Sequence, residues 1–157
     1  MIDLIGLVGI DALWSALAAI GFAMLFNVPR RTLIACAITG AAGHATRALL
    51  EHFGMTVVPA TLAGAIVIGF VGEYCSRRLH APPLLFTVSG AIPMVPGVFA
   101  YRAMLDAIRI TTANVSTGES ILVDAGINFV TTGLILAALA LGIAMPQLLF
   151  RRKKPSL

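Results

Sequence analysis

Apolar residues along this chain fall into five long runs, separated by short connections that carry charge, Pro or Asn. A helix that crosses a bilayer needs about 20 mainly apolar residues, and each run is near that length or longer. The runs cover residues 4–26, 33–51, 56–76, 84–105 and 120–150. The pattern therefore predicts an all-α, polytopic helical membrane protein. We expect about five transmembrane helices in a single integral membrane domain, residues 1–157.

The fourth run is interrupted near its middle by the segment Pro93-Met94-Val95-Pro96-Gly97. The two prolines remove two backbone donors and their rings clash with the preceding turn, while the glycine favours a break over a bend. Non-helical backbone at bilayer depth is tolerated only where protein buries it or where it lines a wet cavity. An interrupted helix is also a sequence pointer to a transporter's binding site. We therefore predict a fourth helix broken at 93–97 and place Pro93, Pro96 and Gly97 in the candidate binding region.

The amino-acid composition is also typical of a protein embedded in a lipid membrane. Hydrophobic residues make up 59% of the chain and charged residues 11%, against roughly 25% charged residues in soluble domains. The first residues carry Asp3 and no Lys or Arg, so we do not expect a cleavable signal peptide. Cys36 and Cys75 lie in apolar runs without CxxC spacing or a His at ligand spacing, which predicts buried small residues. The sequence predicts no metal site and no cofactor.

Basic residues indicate the orientation. Eight of the 11 Lys and Arg residues follow the first, third and fifth runs: Arg30, Arg31, Arg77, Arg78, Arg151, Arg152, Lys153 and Lys154. With five spans these sites share one side, which the positive-inside rule makes cytoplasmic. The N-terminus would then be periplasmic, and residues 151–157 would form a basic cytoplasmic tail anchored at membrane lipid. Without the short run 33–51 the first two arginine pairs would lie on opposite sides, so the charges favour five spans. The sequence shows no basic residues interleaved with aromatic ones, so it does not predict binding of nucleic acid.

The second run carries a polar stripe, Gly40, His44, Arg47 and Glu51, at spacings that place all four on one helix face. An Arg inside the membrane costs at least ~2.5 kcal/mol unless it is paired or hydrated. In one interpretation Arg47 binds an anionic group and His44 carries a proton. Histidine is the residue whose unperturbed side-chain pKa lies nearest neutral pH. In the other, Arg47 is a structural clamp that pairs with an acidic residue on another helix or reaches outward beside Glu51.

The fifth run carries Asp124, Asn128 and Thr131 at helical spacings. Asp124 is a candidate proton carrier or partner of Arg47, unless it lies at the outer interface. Asn128 and Thr131 can contact substrate or hold helices together, an interaction worth about 1 kcal/mol or less. In the first run we expect Asp11 to be interfacial. In the third, the spacing of Glu73 and Arg77 predicts an ion pair at the helix end.

Tyr101 and Arg102 follow the break by one turn. Tyr at a membrane–water boundary is common, and Arg102 fits an interface anchor. However, a half-helix that starts at Gly97 or Val98 would present free N–H groups and a positive dipole end to an anion. Tyr101 would then lie one turn into that half-helix and could contact the same anion.

Four sequence segments, taken in order, resemble the threonine/serine exporter family. They are NVPRR at 27–31, GHATR at 43–47, IPMVPGVFAYRAM at 92–104 and INF at 127–129. The resemblance covers nearly the whole chain, and its most specific part is the PMVPG segment with the Tyr that follows. More narrowly, the chain is similar to the small, separately encoded membrane half of that family.

This resemblance implies a multi-pass subunit of the bacterial inner membrane that works with a larger partner of the same family. The partner would carry a soluble N-terminal region and its own spans. The split pair is associated with export of succinate, and fused members with threonine and serine. This chain shows no such soluble region, so the resemblance implies transport together with the partner. Two joined halves of five spans would have inverted topology, which builds a site between repeats.

The expected function is therefore a subunit of a secondary exporter for a small carboxylate, with succinate first. Arg47 and the half-helix start after Gly97 would bind the anion, and His44 or Asp124 would handle a coupling proton. Two alternatives stay open: a threonine/serine exporter subunit, and a non-transporting scaffold that stabilises the partner. An enzyme is not expected, because the sequence shows neither a nucleophile–base pair at plausible spacing nor an acidic metal cluster.

Overall fold

The structure, a computed structural model, describes the backbone of residues 2–112 and 115–150, and these residues contain helices and turns without a strand. The helices are α1 (Ile2–Leu25), α2 (Leu33–His52), α3 (Val57–Leu79), α4 (Pro83–Ala91), α5 (Gly97–Ile110) and α6 (Val115–Phe150). Short 3-10 turns precede α2 at Arg30–Thr32 and follow α4 at Ile92–Met94. The predicted all-helical fold is confirmed. The predicted basic tail, 151–157, lies outside the described residues.

Among residues 2–112 and 115–150, four stretches of helix are long and apolar enough to cross a membrane: Val8–Leu25, Arg30–His52, Val57–Leu79 and Gly118–Leu149. The interrupted pair Pro83–Met94 and Gly97–Ile110 passes the same test when its two parts are taken together. The chain is thus a helical membrane protein whose described residues contain four candidate spans, or five when the interrupted pair crosses as one.

The interruption lies where the two prolines predict it. Helix α4 ends at Ala91, a single 3-10 turn includes Pro93, and α5 begins at Gly97. Pro96 is the residue before α5, where a missing N–H costs nothing because no helical bond is due there. The predicted break of the fourth helix is therefore confirmed, and so is the predicted start of the second half-helix.

At two helix ends a residue other than glycine takes the left-handed backbone conformation that ends a helix sharply. Asn27, after α1, has φ 56° and His80, after α3, has φ 50°; Asn accepts this conformation more readily than most residues. Pro29 and Pro82 follow within two residues and prevent continuation of either helix. The connections α1–α2 and α3–α4 are therefore tight turns, and each has a pair of arginines beside it.

Two compact units make up the chain. The packed unit consists of Met1–Met94 with Ala138–Leu157, and the pocket unit consists of Val95–Ala137. The packed unit holds α1 to α4 and the end of α6; the pocket unit holds α5 and the beginning of α6. They are described separately below.

Small residues let the helices of the packed unit approach closely. A Cβ on Gly40 of α2 would lie 2.7 Å from the Cβ of Ala19 in α1, and one on Gly64 of α3 would lie 2.6 Å from the carbonyl oxygen of Gly43 in α2. Large side chains pack against such glycines: Ile68 lies against Gly43 and Met94 against Gly64, and both side chains are fully buried. Close backbone approach at small residues is the usual basis of helix packing in membranes.

At one end of the packed unit the two tight connections meet. Val28 from the α1–α2 connection belongs to a cluster with Phe86, and Ala81 from the α3–α4 connection packs against that cluster. Arg30 and Arg31 follow the first contact, and Arg77 and Arg78 precede the second. The structure thus brings the two arginine-bearing connections to the same end of this unit.

The pocket unit is packed differently. Helix α5 has no buried residue, and most described side chains between 118 and 134 are at least partly exposed. The two helices enclose grooves instead of a core.

Candidate functional site

The packed unit places a carboxylate opposite the predicted histidine. Nδ1 of His44 in α2 lies 3.3 Å from Oδ2 of Asp11 in α1, and the two side chains are 20% and 44% exposed. This is an ionic distance, although Nδ1 has no aligned hydrogen-bond partner among the described residues. From the sequence we expect Asp11 only at the membrane interface, and its position in the chain gives no sign of this contact.

One turn further along α2, Arg47 contacts both its own helix and the interruption. Its Nε donates to Oε1 of Glu51 at 2.9 Å, and its Nη1 donates to the carbonyl oxygen of Met94 at 3.4 Å. Met94 ends the 3-10 turn after α4, so this carbonyl is one that the broken helix leaves free. The side chain of Arg47 is 18% exposed.

These contacts fit the interpretation of Arg47 as a structural clamp beside Glu51, and binding of an anion by Arg47 stays a prediction. The acidic partner is Glu51, four residues along the same helix. The link to the interruption adds a second partner that the spacing did not indicate. Gly64 makes room for it: a Cβ there would lie 2.7 Å from Cε of Met94 and 3.4 Å from Cβ of Arg47.

The beginning of α5, in the pocket unit, has free donors. No side chain caps it. The N–H of Gly97 bonds to the carbonyl of Val95 and that of Ala100 to the carbonyl of Pro96. The N–H groups of Val98 and Phe99 between them find no acceptor among the described residues. Such an end carries a positive partial charge that suits an anion.

Helices α5 and α6 of the pocket unit line a polar pocket of about 750 Å³. Its charged and polar lining residues are Tyr101, Arg102, Asp106, Arg109, Asp124 and Asn128. Arg109 is paired with Asp106 at 3.3 Å. Among the described residues Arg102 and Asp124 have no ion-pair partner, so the pocket offers one free cation and one free anion.

A second, apolar groove of about 570 Å³ lies between the other sides of the same helices. Ala103, Ala107, Gly126 and Phe129 are among its lining residues, and Thr132 lies at its edge. The hydroxyl of Thr132 donates to the backbone carbonyl of Asn128 at 2.8 Å. This hydroxyl is therefore satisfied within its own helix.

The predicted site residues thus divide between the units. His44, Arg47 and Pro93 belong to the packed unit, whereas Pro96, Gly97, Tyr101, Asp124 and Asn128 belong to the pocket unit. Within the pocket unit the structure brings Tyr101, Asp124 and Asn128 to one pocket. The predicted pair of Glu73 and Arg77 is confirmed at 3.1 Å.

The charged face of α5 is not among the features predicted above. Arg102, Asp106 and Arg109 follow one another at spacings of four and three, which is the signal of one helix face. Taken singly, Arg102 was interpreted as an interface anchor. The pocket shows that the three residues share a lining with Asp124.

Comparison with known proteins agrees with this architecture. The sequence pattern that defines the family described as "Threonine/Serine exporter, ThrE" matches residues 11–149. The chain belongs to the threonine/serine exporter family. It is therefore a membrane-spanning chain of a transporter family, and that family is not one of enzymes.

An uncharacterized protein of Haemophilus influenzae is 45% identical to the chain over 145 residues. That match covers 92% of this chain and 48% of the relative. The chain thus spans about half the length of the curated relative it matches. The comparison with solved structures finds no match.

Proposed function

We propose that this exporter-family chain is one membrane subunit of a two-component secondary exporter. Its substrate is a small carboxylate, and succinate is the leading candidate. It works with a larger partner subunit of the same family. In this proposal the chain spans the bacterial inner membrane five times, with its N-terminus in the periplasm and its C-terminus in the cytoplasm.

The observation that carries the proposal is the position of Arg47. It is mostly buried in the packed unit and donates to the free carbonyl of Met94 at the helix interruption. Such a residue is costly at bilayer depth and is a functional candidate by default. An interrupted helix is the backbone feature that transporters use at their sites.

The contacts of Arg47 leave its guanidinium able to bind a carboxylate. Its bond to Met94 is long, at 3.4 Å, and Glu51 is 37% exposed. A guanidinium has five donors, of which these contacts use two. A substrate carboxylate can therefore add to the remaining donors or replace Glu51, and a bidentate pair with Arg is among the stronger hydrogen-bonded interactions.

The partner is proposed on two grounds. The relative from Haemophilus influenzae carries the matching segment within a chain about twice as long. The charged face of α5 also bears Arg102, Asp106 and Arg109, which lipid would not accommodate at membrane depth. A second membrane unit, or water held by it, would cover that face.

The pocket unit favours a second candidate, export of threonine or serine. The unpaired Arg102 and Asp124 in one pocket suit a zwitterion, whose carboxylate and ammonium groups need one charge of each sign. Asn128 and Tyr101 could then bind a side-chain hydroxyl. Succinate carries two carboxylates and no cation, so the two candidates are separable by experiment.

A transport assay tests the proposal. Arg47→Ala and Pro96→Ala would be compared with Arg78→Ala, which changes an exposed arginine that lies over the ring of Tyr74. All are produced with the partner, and the membrane level of both subunits is measured. We expect succinate export per complex to fall at least tenfold for Arg47→Ala and to stay within twofold for Arg78→Ala. Unchanged export for both Arg47→Ala and Pro96→Ala would refute the site.

The same measurement separates transport from scaffolding. A non-transporting scaffold predicts that Arg47→Ala lowers the abundance of the partner while export per remaining complex stays unchanged. If the chain is a transporting subunit, Arg47→Ala should leave the abundance of the partner unchanged and lower export per complex.

A further inference from the structure

We propose that Asp11 and His44 together form a proton-binding site in the packed unit, in which Asp11 is the positioning residue for the imidazole. The existence of this site does not depend on what the protein transports. Its use in coupling rests on the proposed function, so the two are tested separately below.

The geometry is that of an imidazole held by a carboxylate on a neighbouring helix. Oδ2 of Asp11 lies 3.3 Å from Nδ1 of His44, and Nδ1 itself is buried without another hydrogen-bond partner among the described residues. A small rotation aligns an Nδ1–H with this carboxylate. Because the bond made by one ring nitrogen decides which tautomer is present, Asp11 would keep the proton on Nδ1 and leave Nε2 to accept a second one.

The packing of α1 against α2 explains why these residues meet. At Gly40 the helices touch so closely that a Cβ there would lie 2.7 Å from Cβ of Ala19 and 3.3 Å from the carbonyl oxygen of Ser15. One turn before Ser15 in α1 is Asp11, and one turn after Gly40 in α2 is His44. Because the contact is fixed at Gly40, the next turn of each antiparallel helix brings the carboxylate to the imidazole.

Among the side chains that the structure describes, few other charges face this pair. Arg47 and Glu51 are on the same helix as His44 and bond to each other. Helix α4 has no charged residue, and the charged residues of α3 begin at Glu73, beyond the level where Ile68 meets Gly43. The local set is thus Asp11, His44, Arg47 and Glu51, which has one excess negative charge when the imidazole is neutral and none when it is protonated.

This charge count links the proton to an anion at Arg47. A carboxylate that binds there adds negative charge to a set that already has an excess, and a proton on His44 offsets it. Each would therefore strengthen binding of the other, and thermodynamic reciprocity makes the two effects equal. Asp11 maintains the link because it holds the imidazole within the same set of charges.

The first test examines the site alone, by nitrogen-15 NMR of the full-length chain in lipid bilayers. The chain has three histidines, and His44→Gln identifies the signal of His44. We expect neutral His44 to carry its proton on Nδ1, Asp11→Asn to shift the tautomer toward Nε2–H, and Asp11→Glu to restore it. Asp106→Asn, in the pocket unit, serves as the control. A wild-type Nε2–H tautomer, or no change in Asp11→Asn, overturns the proposal.

The second test examines the link, by calorimetry of succinate binding to the complex with its partner in buffers of different ionisation enthalpy. We expect uptake of about one proton per succinate at a pH where His44 is largely neutral. Asp11→Asn should still bind succinate but reduce this uptake at least threefold. Intact binding without proton uptake in the wild type overturns the link. If the wild-type complex binds no succinate, the proposed function fails, while the NMR result still decides the Asp11–His44 site.

Discussion

The packed unit and the pocket unit both carry charged side chains in membrane-type helices, but they accommodate them differently. In the packed unit, close helix contacts hold His44 against Asp11 and Arg47 against the carbonyl of Met94. In the pocket unit, Arg102, Asp106 and Arg109 line an open pocket of about 750 Å³. Charge inside a membrane must be paired or hydrated. The packed unit holds its charges against groups on neighbouring elements, whereas the pocket unit pairs Arg109 with Asp106 on one helix and leaves Arg102 and Asp124 without an ion-pair partner among the described residues.

The difference also separates stability from transport. Substitutions in the packed unit should affect folding, since its helices touch at glycines and its large side chains are fully buried. Substitutions in the pocket unit should leave folding nearly intact, because α5 buries no residue. The predictions below are ordered by expected size.

The largest effect is expected for Ile68→Ala. The side chain of Ile68 is fully buried in the packed unit, and truncation of such a residue leaves a cavity that costs about 2–5 kcal/mol of unfolding free energy. Met104→Ala, at a residue that is 56% exposed in the pocket unit, should cost less than about 1 kcal/mol. Denaturant unfolding in lipid vesicles measures both. Equal losses would show that the two units are packed alike.

A smaller loss is expected for Gly64→Ala. The added Cβ would meet the carbonyl oxygen of Gly43 at 2.6 Å, and backbone cannot move aside cheaply, so about 1–3 kcal/mol should be lost. Gly126→Ala is the matched control, because a Cβ there meets nothing within 4 Å. An Ala in a free helical position should stabilise by up to about 1 kcal/mol. Thermal unfolding of the two variants should therefore shift in opposite directions, and a shift in the same direction would contradict the packing described.

The smallest effect is expected for Arg109→Gln. Its ion pair with Asp106 leaves Arg109 66% exposed, and exposed pairs contribute about 0–1 kcal/mol. The free energy of unfolding should change by less than about 0.5 kcal/mol at physiological salt, which is within the range for exposed surface substitutions. A loss above 2 kcal/mol would mean that the pocket unit depends on this pair for its fold.

Much of the fold could be predicted from local sequence chemistry. Apolar runs mark the helices, Pro93 and Pro96 mark the interruption, and the spacing of Glu73 and Arg77 marks their ion pair. Each of these signals lies within one segment, where the period of a helix and the missing N–H of proline act directly. The four segments that resemble the exporter family also indicate the family to which the chain belongs.

Contacts between helices could not be predicted in the same way. The pairing of Asp11 with His44 depends on where Gly40 lets α1 approach α2, which is a property of two segments together. The bond from Arg47 to Met94 likewise needs the path of the chain through the interruption. The charged face of α5 could have been recognised from the spacing of Arg102, Asp106 and Arg109, but the pocket it forms with α6 could not.

The most direct measurement is efflux of succinate and threonine, per unit of assembled complex, from cells that carry Arg47→Gln or Arg102→Gln. We expect Arg47→Gln to reduce succinate efflux at least tenfold, because in the proposed site its guanidinium binds the carboxylate, and we expect Arg102→Gln to stay within threefold of the wild type. The opposite ranking would contradict this expectation: normal succinate efflux in Arg47→Gln, with threonine efflux lost in Arg102→Gln, would place substrate binding in the pocket unit.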